Sequence, residues 1–256
     1  MAATIRQDVI EMVSAAGSGH IAGPLGMADV FAALYFHILR HDPKNPEWPE
    51  RDRLVLSNGH IVPVRYAAMA RSGYFPVSEL STLRKFGTRL QGHPHRASLP
   101  GVETTSGPLG SGLSQAVGMA IAARMDKKKI NVYCLMSDGE QECGQTWEAA
   151  MLAGKLKLDN LTALIDRNNI QIDGMTEDIM PLEPIRVVDV GACRVMRADG
   201  VAHPLFVPGR LIHAVVMAAA VGDGHLVKLR MKQHCRSRVL AAGGGSINAH
   251  ALRIHV

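Results

Sequence analysis

The sequence has no long hydrophobic run: the longest uninterrupted apolar stretch covers residues 214–221. A membrane-spanning helix needs about 20 such residues, so we expect no membrane span. The N-terminal segment carries Asp8 and Glu11 and lacks the apolar core of a signal peptide, so we expect no secretory leader. None of the four cysteines forms a Cys-x-x-Cys pair, which disfavours a disulfide framework. Together these absences predict a reduced, cytoplasmic protein.

The last part of the chain lacks four residue types. Residues 187–256 contain no Glu, Thr, Tyr or Trp, and they hold nine Lys or Arg against three Asp. Since residues 1–186 are nearly neutral, the formal net charge of +5 comes from this segment. Basic segments are typical of nucleic-acid binding, but these charges are scattered and no Tyr or Trp is there to stack on bases. We therefore expect no nucleic-acid partner, and we predict a domain of residues 1–186 followed by an atypical basic tail of residues 187–256.

The residues that are present indicate an α/β domain. The chain has 256 residues and is 47% hydrophobic, which is enough for a buried core. Apolar residues recur at helical spacing in residues 5–16, 27–39 and 113–121, and residues 146–158 also favour a helix. Nearly continuous apolar runs at residues 130–136 and 161–165 are typical of strands buried on both faces of a parallel sheet. The strand–helix–strand order predicts a three-layer α/β/α fold with a parallel sheet.

Polar residues follow both predicted strands. Asp138 and Gly139 come directly after the first strand, and Asn168 follows the second. Because the carboxyl ends of parallel strands open on the same edge of a sheet, we expect Asp138 and Asn168 to be neighbours. A carboxylate, an amide oxygen and a backbone carbonyl suit a hard divalent cation such as Mg²⁺, and Gly139 lets a phosphate approach the backbone. The alternative is that Asp138 caps a helix and Asn168 is a turn residue.

Two further features fall in loops. Histidine follows glycine at His20, His60 and His93, and imidazoles in loops can donate hydrogen bonds or accept a proton near neutral pH. Taken singly, each is more often an ordinary surface histidine. The Gly-rich residues 107–112 directly precede a predicted helix, an arrangement that cradles anions or planar ligands. No Gly-Lys-Ser/Thr follows, so this is not a Walker loop.

In combination these motifs resemble transketolase, specifically the N-terminal half that forms a separate subunit in split transketolases. The resemblance runs from about residue 5 to residue 185. The matching segments are residues 5–13, 17–20, 42–46, 57–60, 90–94, 107–110, 137–139, 147–149 and 171–174.

The resemblance implies thiamine diphosphate held through Mg²⁺. Its motifs imply side-chain metal ligands at Asp138 and Asn168, with the carbonyl of Ile170 as a third. They also imply contacts of the cofactor with these residues and with His60, Gly107, Leu109 and Gly139. His20, His60 and His93 are implied to contact the sugar phosphate and to assist proton transfer. The implied reaction is that of the pentose phosphate pathway, in which a two-carbon ketol unit moves between sugar phosphates.

The resemblance also implies a C-terminal partner subunit, which carries the glutamate that activates the cofactor, in a dimer of heterodimers. This chain alone is then expected to be inactive. One departure is Cys143, which stands where the family usually has glutamate. A larger departure begins after Arg186, where the loss of four residue types suggests a shifted reading frame; a genuinely divergent tail is the alternative.

Other functions stay open from the sequence. A related thiamine diphosphate enzyme condenses pyruvate with a triose phosphate, although residues 92–95 (Gly-His-Pro-His) favour transketolase. A half-chain that assembles without turnover is a second possibility, motivated by the tail. A basic nucleic-acid binder is the weakest of these alternatives.

Overall fold

The computed structural model describes residues 1–172 and 174–182, together with the backbone of residues 193–196 and 212–217. The helices are α1 (Ala2–Ala16), α2 (Ala22–Gly26), α3 (Ala28–Ala33), α4 (Val62–Ser72), α5 (Gly112–Met125), α6 (Gly144–Leu156) and α7 (Thr176–Ile179). The strands are β1 (Arg53–Leu56), β2 (Val132–Ser137), β3 (Leu161–Asp166), β4 (Ile170–Gln171), β5 (Gly174–Met175), β6 (Cys193–Met196) and β7 (Ile212–Met217). A π-helix covers Leu34–Ile38, and 3₁₀ turns cover Gly59–Ile61, Val77–Thr82 and Gly139–Glu142.

The main sheet is parallel and has the strand order β1-β2-β3-β7-β6. Strands β2 and β3 confirm the two strands predicted from the apolar runs, and Ser137 pairs with Asp166 at their carboxyl ends. Strands β6 and β7 come from the segment predicted as an atypical tail. The rest of that segment lies outside the described residues, so the division at residue 186 stays a prediction.

Helices cover both faces of the sheet, which confirms the three-layer α/β arrangement. Successive strand residues point to opposite faces, so Leu54 and Leu56 of β1 join one hydrophobic cluster and Val55 joins the other. The first cluster includes residues of α1, α3 and α4, such as Phe31. The second lies under α5 and α6 and includes Leu113. Strands β1, β2 and β3 are therefore buried on both sides, and their carboxyl edge is left for the loops.

The first strand, β1, is missing from the sequence prediction. It is only four residues long, and the charged residues Arg51 and Asp52 precede it. Arg51 is nevertheless buried, because it forms a two-pronged ion pair with the buried Glu103, with Nη2 of Arg51 at 3.0 Å from Oε2. The strand therefore depends on a contact between residues 52 positions apart.

The helix predicted over residues 27–39 is present as α3 and the π-helix that follows it. Its last turn is the π-helix Leu34–Ile38, and Leu39 is extended with ψ of 133°. The amide of Leu39 donates to the carbonyl of Leu34 at 2.8 Å, which closes the wider turn. Helix α1, which was predicted over residues 5–16, ends at Gly17, which has φ of 64°. Within the described residues, no helix is long and apolar enough to cross a bilayer.

Candidate functional site

Three parallel strands end side by side at the edge where the predicted site residues lie. Ser57 follows β1, and the turn that begins at Asp138 follows β2. The amide of Asp138 donates to the carbonyl of Asp166 at the end of β3, at 3.1 Å. The sequence expectation that the ends of β2 and β3 are neighbours is therefore met by the backbone.

The carboxylate of Asp138 is buried and fully engaged. Its Oδ1 accepts from the amide of Gly139 at 2.9 Å, which caps the 3₁₀ turn Gly139–Glu142. Its Oδ2 accepts from the amide of Asn169 at 2.8 Å and from Nη1 of Arg167 at 3.0 Å. A second nitrogen of Arg167 pairs with Glu177. Asp138 thus joins the ends of β2 and β3. It also caps the 3₁₀ turn, so the alternative that Asp138 is a cap describes part of its role.

Asn168 lies in the loop after β3, one residue before Asn169, whose amide donates to the Asp138 carboxylate. Its Oδ1 accepts from the amide of Ile170 at 2.9 Å, and its Nδ2 donates to Oδ2 of Asp166 at 3.3 Å. The first bond is a local turn contact, as the alternative for Asn168 states. The structure therefore brings Asp138, Asn168 and Ile170 into one group of loops, while the metal-ligand role of each stays a prediction.

The chemistry of this group fits a hard cation. Two buried acceptor oxygens, Oδ1 of Asp166 and Oε1 of Gln171, have no hydrogen-bond partner among the described residues. The Gln171 oxygen faces Gly139, because a Cβ built on that glycine would lie 3.4 Å from it. Unpartnered buried acceptors are costly, and a divalent cation with oxygen ligands would relieve that cost.

Apart from the carboxylate of Asp138, a cation at this place would depend on amide and carbonyl oxygens. Within the ranges that the structure describes, no three His, Cys, Asp or Glu side chains form a group able to hold a metal ion. Burial raises the pKa of Asp166 to about 7; the hydrogen bond from Asn168 lowers it, and the charge of Asp138 adds to the rise. The burial that raises this pKa disfavours a charged Asp166 carboxylate, and the charge of Asp138 disfavours it further.

Glu140 is a residue of this edge that the sequence analysis missed. It is completely buried, and its Oε2 accepts from Oγ of Ser57 at 2.5 Å and from the amide of Gly110 at 2.8 Å. Its Oε1 accepts from the amide of Ser137 at 2.6 Å. One carboxylate therefore fastens the end of β1, the end of β2 and the Gly-rich turn to one another. Its position directly after Asp138-Gly139 was visible in the sequence, but its partners were not.

The three predicted histidines come together, although they belong to separate loops. The rings of His20 and His60 lie 4.9 Å apart in an edge-to-face arrangement. The charges of His20 and His93 both act on His60, and that of His20 acts on His93. His60 belongs to the turn that follows β1, so this strand places the histidines at the same edge as Asp138.

Burial lowers the pKa of His60 to about 4, and the charges of His20 and His93 contribute to that decrease. Burial also lowers the pKa of His93, together with the charges of His20 and Arg84. His60 is therefore neutral at pH 7, with one ring nitrogen as a donor and one as an acceptor.

The pKa of His60 predicts a stability that falls in acid. The unfolded chain, with a histidine pKa near 6.5, binds this proton more readily than the folded chain between pH 6.5 and about 4. Stability is thus lost as the pH falls through that window, by about 1–2 kcal/mol after allowance for partial exposure. Urea unfolding of His60→Gln should show a shallower loss than wild type, whereas the exposed His37→Gln should keep the wild-type slope. Equal slopes in all three proteins would contradict the assignment.

The Gly-rich segment offers an open backbone beside unsatisfied polar groups. A Cβ built on Gly107 would meet nothing within 4 Å, so ligand atoms have room there. Close by, a Cβ on Gly59 would collide with Oγ of Ser106. That hydroxyl and both side-chain polar atoms of Asn58 are buried and have no hydrogen-bond partner among the described residues. This combination fits a polar ligand that lies against the backbone.

Leu109 connects the Gly-rich segment to α6. Its carbonyl accepts from Sγ of Cys143 at 3.7 Å and from Nε2 of Gln145 at 3.5 Å. Its side chain is 37% exposed.

An open cavity of about 520 Å³ lies beside this region, between Thr104, Thr105 and the face of α5 that carries Gln115 and Met119. None of the predicted site residues lines it.

Comparison with known proteins decides the family. Residues 1–186 match the family model described as "Transketolase, thiamine diphosphate binding domain". The chain belongs to the transketolase family. The transketolase-type chain is 50% identical over 181 residues to the 6-deoxy-6-sulfo-D-fructose transketolase subunit SqwG of Clostridium sp. (strain MSTE9), covering 71% of this chain and 66% of that one. It is 47% identical to an apulose-4-phosphate transketolase subunit of Phocaeicola vulgatus, covering 71% and 64%.

Solved transketolases share its fold. The transketolase from Leishmania mexicana superposes with a TM-score of 0.75 at 30% sequence identity, covering 85% of this chain and 35% of that one. A transketolase from Pichia stipitis in complex with a sugar phosphate gives a TM-score of 0.75 at 31% identity, with the same coverage. The chain thus spans about a third of these structures and slightly less than two thirds of the two subunits named above.

Proposed function

We propose that this chain is the N-terminal, cofactor-binding subunit of a split transketolase. The observation that carries the proposal is the meeting, at one sheet edge, of the Asp138 turn with the Asn168 loop, beside the His20–His60 pair. In this proposal the two-carbon ketol unit of a ketose phosphate passes to an aldose phosphate, as one carbon–carbon bond breaks and another forms. The relatives named above for a sulfonated and a phosphorylated sugar support a substrate with an anionic group.

Thiamine diphosphate, when bound, would supply the stabilised carbanion that this exchange needs. Asp138, Asn168 and the carbonyl of Ile170 would hold Mg²⁺ at the diphosphate. Gly139 and Gly107 would let the diphosphate and the ring system lie against backbone, as the empty space at Gly107 supports.

The histidines would bind the sugar and transfer protons to and from it. His60 is neutral at pH 7, because burial keeps its pKa at about 4, so its ring can accept a proton at one nitrogen and donate at the other. His20 lies in edge-to-face contact with it, so a proton can pass from a substrate hydroxyl to one imidazole while the other holds the carbonyl oxygen. We propose that His93 completes this group.

A partner subunit belongs to the proposal. Apolar side chains are exposed on the outer faces of two adjacent helices: Met125 of α5 is 77% exposed, and Met151 of α6 is 53% exposed. A hydrogen bond connects the two helices: Nη1 of Arg124 in α5 donates to the carbonyl of Leu156 in α6 at 2.6 Å. Exposed apolar side chains are typical of interaction surfaces, which supports docking of a C-terminal partner. A dimer of heterodimers in the cytoplasm is part of the same proposal.

A half-chain that assembles without turnover is the second candidate, and Cys143 favours it. Its thiol replaces the usual family glutamate and lies against the carbonyl of Leu109. Burial and the nearby charges of Glu140 and Glu142 raise its pKa, so the position carries no negative charge at pH 7.

Mixing the chain with a candidate C-terminal subunit, Mg²⁺ and thiamine diphosphate tests both candidates. The proposal expects ketol transfer from a ketose phosphate in the mixture and no detectable turnover by either chain alone. Pyruvate should not serve as a donor. Association by ultracentrifugation without turnover would establish the second candidate instead. The substitution Cys143→Glu, which restores the family residue, would then show whether Cys143 is the reason for the missing turnover.

A further inference from the structure

The carboxylate proposed to hold Mg²⁺ already lies beside a cation of the protein itself. Arg167 directly follows β3, and its Nη1 donates to Oδ2 of Asp138 at 3.0 Å. The side chain of Arg167 is 4% exposed and that of Asp138 is 1% exposed. Solvent and salt screen such a buried pair much less than they screen a pair at the surface. The guanidinium charge therefore acts on any ion that binds at Asp138.

The two oxygens of the Asp138 carboxylate differ in the hydrogen bonds that they accept. Oδ2 accepts from Nη1 of Arg167, from the amide of Asn169 at 2.8 Å and from Oγ1 of Thr176 at 3.4 Å. Among the described residues, Oδ1 accepts only from the amide of Gly139, at 2.9 Å. An ionised carboxylate has about two acceptor sites on each oxygen. A cation would therefore bind through Oδ1, while Oδ2 anchors the side chain.

Arg167 is not needed to hold the Asp138 carboxylate in place. Without the guanidinium, the carboxylate would still accept from the amides of Gly139 and Asn169 and from the hydroxyl of Thr176. The contribution of Arg167 that these neutral donors cannot replace is its positive charge. Because like charges at close range repel strongly in a buried site, Arg167 lowers the affinity of Oδ1 for a cation.

A second carboxylate offsets part of this charge. Nη2 of Arg167 pairs with Oε1 of Glu177 in α7. The side chain of Glu177 is 40% exposed, and its Oε1 also accepts from the amide of Leu182 at 3.3 Å. Arg167 thus connects the buried Asp138 to an acid at the surface. The charge of Glu177 can therefore be changed without a change in any group that touches Asp138.

We propose that Arg167 sets the Mg²⁺ affinity of this site, because its charge offsets that of Asp138 and weakens the binding of a free divalent cation. This inference rests on the proposed thiamine diphosphate function. Mg²⁺ is usually held by one or two carboxylates together with phosphate oxygens of the ligand. With the single carboxylate of Asp138 offset by Arg167, the ion binds firmly only when diphosphate oxygens complete its ligands.

Titration of the full chain with Mn²⁺, an oxygen-preferring probe for Mg²⁺, tests the proposal without diphosphate or a partner subunit. Arg167→Gln should bind Mn²⁺ about tenfold more tightly than wild type, and Arg167→Lys, which keeps the charge, should stay within about twofold. Glu177→Gln should bind about threefold more weakly, since the guanidinium charge is then less offset. Asp178→Asn makes the same change in charge at the next, exposed residue and should match wild type.

A purely structural role of Arg167 predicts the opposite sign, since a disordered Asp138 would bind the ion more weakly. Unchanged or weaker Mn²⁺ binding in Arg167→Gln, at wild-type helix content by circular dichroism, would overturn the proposal. Loss of one partner of a buried ion pair destabilises a fold. If Arg167→Gln does not fold, Glu177→Gln decides, because its carboxylate is partly exposed; Mn²⁺ affinity equal to that of Asp178→Asn would then refute the proposal.

Calorimetry of the wild-type chain with thiamine diphosphate and Mg²⁺ separates this inference from the proposed function. Cofactor binding by wild type, combined with equal Mn²⁺ affinities in wild type and Arg167→Gln, would keep the function and refute the role of Arg167. Tighter Mn²⁺ binding in Arg167→Gln, combined with no cofactor binding by wild type, would support the role of Arg167 and reject the cofactor site. Absence of Mn²⁺ binding in wild type and in every variant would overturn the inference.

Discussion

Asp138→Asn should abolish Mg²⁺-dependent binding of thiamine diphosphate, with a loss of about 100-fold or more in affinity. The substitution keeps an oxygen that can accept from the amide of Gly139, so the cap of the 3₁₀ turn is retained. It removes the charge that now pairs with Arg167 and that would hold the cation. Asp138→Ala removes both, and it should bind no cofactor that calorimetry can detect.

The control for this prediction is Asp159→Asn. Asp159 is an exposed carboxylate in the turn before β3, and its substitution makes the same change in charge. Circular dichroism should show that all three variants keep the wild-type helix content. Wild-type cofactor affinity in Asp138→Asn would remove Asp138 from the metal site and, with it, the main support for a thiamine enzyme.

Glu140→Ala should destabilise the chain by about 3–5 kcal/mol, since it leaves three buried donors, Oγ of Ser57 and the amides of Gly110 and Ser137, without an acceptor. In a domain of this size that corresponds to a fall in Tm of roughly 10 °C. Glu140→Gln should lose about half as much, because one carbonyl oxygen remains to accept.

Glu142→Ala is the matched control, since Glu142 is exposed and only two residues away. Its effect should stay within about 0.5 kcal/mol, as is usual for surface substitutions. Thermal unfolding followed by circular dichroism compares the three variants under the same conditions. A Glu140→Ala protein as stable as Glu142→Ala would show that the carboxylate does not hold the strand ends together.

The sequence predicts most accurately the features that depend on neighbouring residues. The runs before Asp138 and Asn168 are local signals, and both strands are present with bounds that differ from the prediction by at most two residues. Strand β1 was not predicted, because Arg51, just before the strand, is charged. Arg51 is buried only through its ion pair with Glu103, which is far away in the chain. The ion pair between Arg167 and Asp138 spans 29 positions and was not visible either.

In the candidate site, too, local features were predictable from the sequence and long-range contacts were not. The residue types around Asp138 were enough to suggest a cation, since their chemistry does not depend on the rest of the fold. The meeting of His20 with His60 required the path of the chain, which the family resemblance supplied and periodicity did not. Glu140 was missed because its hydrogen bond with Ser57 joins residues 83 positions apart in the chain, which periodicity does not show.

The carboxylate of Glu140 also bears on how association would proceed. Because a single buried group already fastens two strand ends and a glycine turn, these loops adopt their final arrangement when the chain folds. Ordering flexible loops at the moment of encounter would subtract conformational entropy from the binding free energy. In the proposed assembly, loops that are already fixed in this way would add no ordering cost to the association of the two subunits.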